Sequence, residues 1–189
     1  MSKIIENNNQ IWDNASKQEK RIIIAKDALE QLATGFFKNT HNYGNVKIEK
    51  YSYDIDAQFN EFARNNKESI MCTGCAKTGL FIAYIMHDNH LTVKEAEDGF
   101  VDSEICERLE AIFEHDQLTL IEQAYEGWNN SGNNNQLNTW QNAIRSLDLE
   151  TRYLDRNDGI ILRSQVFTQI LHNIIRNEGT FNPNDLTVV

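Results

Sequence analysis

Proline is almost absent: the 189 residues contain one, Pro183, close to the end of the sequence. Its scarcity leaves long helices uninterrupted, and its position withholds the cis-proline that a thioredoxin-type site places opposite its cysteines. Cysteine is scarce too, with only Cys72, Cys75 and Cys106. An odd, sparse set does not make a disulfide framework and fits a reducing cytoplasm. Long hydrophobic runs are missing. The longest, Leu80 to Met86, is far below the roughly 20 residues of a membrane span, and no basic, apolar and small-residue succession opens the chain. A cytoplasmic protein without membrane contact is therefore expected. Positive charge is also short: 18 Lys and Arg face 28 Asp and Glu, a formal net charge of -10. That sign opposes attraction to nucleic-acid phosphates or anionic lipid, so no direct nucleic-acid binding is expected.

The excess negative charge has an address. Between Asp88 and Glu126 stand twelve carboxylates against Lys94 and Arg108, while the remainder is balanced. Around this segment the pattern is helical. Ser16 and Glu19 form a capping box ahead of Ile22, Ala25, Leu29 and Leu32 at helical spacing, with Gly35 as the stop. Val46 to Tyr53 reads as a strand. With Gly35 to Lys38 before it and Asn42 to Asn45 between, a small β-hairpin is expected. Phe59, Phe62 and Ala63 suggest a short helix. Residues 74–86, if helical, are apolar nearly all round, with Cys75, Gly79 and Ala83 as a small-residue groove and only Lys77 and Thr78 polar.

Further helices are marked by Ile105, Leu109, Ile112 and Phe113, by Leu118 to Tyr125, by Trp140 to Leu147, and by Val166 to Ile175. A break is expected at Asp155 to Gly159, and Gly179 should close the last helix, with Phe181 packing back over it. The Asn-rich stretch 129–138 lacks apolar content and reads as a flexible loop. The expectation is a single domain over 1–189, mainly α with a minor β part: a helical bundle around a central buried helix.

Cys72 and Cys75, ahead of that helix, admit several uses. Two thiolates at this spacing supply half of a tetrahedral zinc site. His87 and His90 do not complete it, because a helix would set Cys75 and His87 about 18 Å apart. A redox pair lacks its proline and its βαβ setting. Both cysteines can also be small buried hydrophobes where a central helix meets its neighbours closely, and this packing reading leads. A calcium loop fails on register at Gly99 and Gly159. His115 and His172 stand alone on helical stretches.

Met71-Cys72-Thr73-Gly74-Cys75-Ala76 resembles the P-C-x-x-C-A segment of zinc-dependent nucleobase deaminases. That resemblance implies a zinc site with an upstream ligand, for which His41 stands at a workable distance. The sequence departs from the pattern at Met71, which replaces the proline, and at Tyr43, which occupies the place of the proton-shuttling glutamate. The same segment, continued through Ala76-Lys77 and Leu80-Phe81, resembles uncharacterised bacterial and phage proteins. That likeness carries no activity.

No catalytic residue, metal ligand or cofactor is therefore assigned. The expected function is that of a non-enzymatic accessory protein, phage- or mobile-element-encoded by that resemblance, which meets a macromolecular partner with a basic surface. The acidic segment would make the contact through an outer ridge of Glu107, Glu110 and Glu114. The alternative is a zinc-dependent, deaminase-like enzyme or a zinc-stabilised module using Cys72 and Cys75.

Overall fold

The Ser16–Glu19 capping box forms as its spacing requires. Ser16 donates its backbone N–H to the Glu19 carboxylate at 2.7 Å, and Glu19 returns its own N–H to Ser16 Oγ. This nucleates α1 (Lys17–Thr34), which ends at Gly35 in the left-handed region, φ 75°. The structure, a computed structural model, describes residues 11–40, 45–48, 54–87, 90–99, 101–126, 135–146 and 158–189.

After α1 come β1 (Phe37–Asn39), β2 (Asn45–Ile48), α2 (Phe59–Asn65), a short 3-10 turn, and β3 (Ile70–Gly74). Then follow α3 (Ala76–Ile85), α4 (Val93–Asp98), α5 (Asp102–Glu110), α6 (His115–Glu126), α7 (Asn135–Ser146) and α8 (Asp158–Arg176). The protein is mainly helical with one small sheet.

The sheet corrects the expected hairpin. Its order is β1-β3-β2: β3 lies in the middle, parallel to β1 and antiparallel to β2. The register sets Cys72 between Phe37 and Val46. The two expected strands exist, but each pairs with the cysteine-bearing segment instead of with its sequence neighbour. Residues 49–53, expected to prolong the second strand, lie outside the described residues.

Directly after β3 the chain turns into α3, and every residue of this helix except Tyr84 is buried. It meets α1, α5, α6 and the sheet. Burying Leu80, Phe81, Ile82 and Ile85 contributes about 1.5–3 kcal/mol each, which outweighs the roughly 1 kcal/mol that Gly79 costs a helix. That glycine is required by its neighbours, since a β-carbon there would stand 2.5 Å from the Phe167 ring.

Three further expectations shift. Of the loop placed at 129–138, residues 129–134 lie outside the described residues, and 135–138 form the first turn of α7. The break at Asp155 to Gly159 ends sooner, because Asp158 and Gly159 already belong to α8. The ridge helix stops at Glu110, so Glu114 lies in the bend before α6, where its carbonyl accepts from the N–H of Gln117 and Leu118.

The C-terminal segment behaves as expected at Gly179, φ 85°, while the Phe181 ring meets Trp140 of α7 edge-on at 5.1 Å. Beyond it the tail is strapped to α8. Asn173 donates to the Asn182 carbonyl at 2.9 Å and accepts from the Asn182 N–H, and Gln169 bonds both backbone groups of Val189.

Candidate functional site

Lys77 is the one charged residue of α3 and is only 4% exposed. Its ammonium has three acceptors within reach. Nζ lies 2.9 Å from Asp102 Oδ1 on α5, 3.0 Å from Glu122 Oε1 on α6, and 3.4 Å from Cys106 Sγ. Burial alone would lower the lysine pKa, but the hydrogen bonds and charges of Asp102 and Glu122 more than offset it, so it ends above the ordinary value. A lysine held charged with all three protons engaged is a strut, not a nucleophile. Two members of the acidic segment thereby join α5 and α6 to the core helix.

The two cysteines of the motif separate. Cys72 sits in β3 with no exposed surface, and burial pushes its thiol up to about 12. Its burial is what the packing reading expects. Cys75 is only half-buried; it takes the N-cap position of α3, with Sγ 3.5 Å from Thr78 Oγ1.

Around Cys75, Asn39 is fully buried opposite Gly74. Tyr125 donates to the Thr40 carbonyl at 3.2 Å, and burial holds its hydroxyl above the ordinary range. Among the described residues no group of three His, Cys, Asp or Glu side chains is placed to hold a metal ion. His41 and Tyr43 lie outside the described residues. Of the donors that the deaminase resemblance implies, the described residues include only Cys72, enclosed in the sheet, and Cys75.

The ridge residues Glu107, Glu110 and Glu114 are all exposed. Glu107 and Glu110 are one turn apart on α5. Glu110 bonds His115 Nδ1 at 2.7 Å, and this hydrogen bond raises the His115 pKa. Arg108 is drawn to Glu104 at 3.5 Å. Among the described residues, no ion pair neutralises Glu107 or Glu114.

A second locus was not visible in the sequence. Between residues 11–14, α1 and the end of α3 lies a cavity of about 440 Å3. In its wall Asp27 and His87 form a short hydrogen-bonded pair through His87 Nε2, and the imidazole stacks on Trp12 at 4.6 Å and 14°. His87 Nδ1 and Gln31 Oε1, both buried, have no partner among the described residues. From sequence spacing His87 reads only as a metal ligand, because Asp27 lies 60 residues away. Lys77, in contrast, carried a usable signal: a lysine in an all-apolar helix needs carboxylates, and the adjoining segment is rich in them.

No protein-family model, curated protein or solved structure matches the chain. No helix among the described residues is long and apolar enough to cross a membrane.

Proposed function

We propose that this is a cytoplasmic, non-enzymatic binding protein that presents the corner between α5 and α6 to a basic surface of a macromolecular partner. The observation that carries this reading is a division among the carboxylates of one segment. Asp102 and Glu122 are held by Lys77. Glu107, Glu110 and Glu114 face outward from the helix and bend thus anchored. Like charges at one-turn spacing cost a helix about 0.2–0.5 kcal/mol per pair, so the pairing of Glu107 with Glu110 does not serve the fold. A cationic partner relieves that repulsion and is steered by it.

The test uses an oligolysine peptide as the basic probe. Reversing Glu107, Glu110 and Glu114 to lysine should weaken binding about tenfold or more, a loss of about 1.4 kcal/mol. Reversing the exposed Asp13, Glu61 and Glu68 changes net charge equally and should weaken it far less. Equal weakening by both sets, or no binding by the unaltered protein, overturns the reading.

A further inference from the structure

Two acids and two bases line the cavity beside α1. Its volume, about 440 Å3, falls in the range of about 300–1,000 Å3 typical of small-molecule sites. Asp27 and Glu30, one turn apart on α1, supply the acids, and Arg64, in the last turn of α2, and Lys67, just beyond it, supply the bases. Neighbouring like charges on a helix repel. All four side chains keep part of their surface open to water, so a ligand can reach them.

These groups do not saturate one another. Directly hydrogen-bonded charges approach to about 2.7–2.9 Å, whereas Lys67 Nζ stands 3.8 Å from Glu30 Oε1, with both side chains more than half exposed. Arg64 donates one N–H to the Met86 carbonyl, and among the described residues no carboxylate lies within ion-pair reach of its guanidinium. Asp27 meets His87 through Oδ2 alone. Ile11, Ile23 and Met86 add apolar wall, and Ile11 is 55% exposed, so its surface gains from being covered. A ligand of one sign would be drawn by two of the four charges and repelled by the other two. One that carries both signs a few bonds apart, on an apolar body, suits all of them.

We infer that the cavity binds a free α-amino acid with an apolar side chain. Its carboxylate goes to Arg64 and Lys67, where the planar guanidinium offers paired N–H groups that match a carboxylate. Its ammonium goes to Glu30 and Asp27, and its side chain covers Ile11 and Ile23. The inference stands apart from the acidic-face reading, and the failure of one leaves the other intact.

The experiment is calorimetric titration of the full chain with L-phenylalanine, with phenethylamine, which lacks the carboxylate, and with phenylpropionate, which lacks the amino group. Phenylalanine should bind saturably at one equivalent, and each of the others at least about tenfold more weakly. In variants with an unchanged circular dichroism spectrum the preferences should separate. Arg64→Gln should remove most of the advantage over phenethylamine and little of that over phenylpropionate, and Glu30→Gln should do the reverse. In the unaltered protein, phenylalanine should also shift the methyl resonances of Ile11 and Ile23, which removes dependence on the variants. Absence of phenylalanine binding, equal affinity for either analogue, unmoved Ile11 and Ile23 methyls, or variants that weaken all three ligands alike overturns the inference.

Discussion

Gly79 of α3 lies so close to Phe167 of α8 that a β-carbon on the glycine would stand 2.5 Å from the ring's Cε1. The Phe37 ring closes the same spot at 2.9 Å. Both rings are buried, so neither can swing away. Gly79→Ala gains about 1 kcal/mol of helix propensity but overpacks the site at a cost of about 1–3 kcal/mol. Urea denaturation should show a net loss of stability, larger for Gly79→Val. A stabilised alanine variant would mean that α3 and α8 do not approach this closely.

The strut at Lys77 predicts an asymmetry. Lys77→Met leaves Asp102 and Glu122, whose side chains are 40% and 44% exposed, free to return to water. Replacing both acids with Asn and Gln strands a buried ammonium, a loss of about 3–5 kcal/mol. The double neutralisation should therefore be the more damaging change. Equal losses would contradict the buried-lysine account.

The same group sets an alkaline limb. Its folded pKa lies above the unfolded value of about 10.4, so its contribution is complete below that pH and fades as pH rises through the folded value. Stability measured between about pH 9 and 12 should fall in the unaltered protein through this group and fall less in Lys77→Met.

At the acid end, Asp185 accepts hydrogen bonds from Thr187, Asn177 and Arg176, which hold its carboxyl well below the usual range. A depressed pKa gives stability that is present above about pH 3.9 and is lost as pH falls through the folded value. The advantage of the unaltered protein over Asp185→Asn should shrink from about pH 4 to pH 2. A constant difference across that range would show that the carboxylate does not strap the tail.

The thiols can be ranked. At neutral pH Cys75, half-buried at a helix start, should react with iodoacetamide in the native state, whereas Cys72 should be labelled only on unfolding. Protein purified without added zinc should carry less than one equivalent. Stoichiometric zinc that disappears on replacing Cys72 and Cys75 would restore the metalloenzyme alternative.

What could be read beforehand was local. The capping box at Ser16, the all-apolar α3 and the closing Gly179 each declare themselves within a turn or two of chain. β3 did not, because Ile-Met-Cys-Thr-Gly is short and carries no clear alternation. Its absence from the expectation turned β1 and β2 into a hairpin, when their shared partner lies more than twenty residues further on. The exposed positions of Glu107 and Glu110 followed from helical spacing. The salt bridges of Lys77 and the pairing of Asp27 with His87 arise from tertiary packing and leave no periodic trace.

The central claim is that Glu107, Glu110 and Glu114, more than the pair bound by Lys77, meet a basic partner. Zero-length carbodiimide coupling of oligolysine to the native protein, mapped by mass spectrometry, tests it directly. The account predicts links concentrated at Glu107, Glu110 and Glu114. Links scattered over the surface, or concentrated away from the α5–α6 corner, would contradict it.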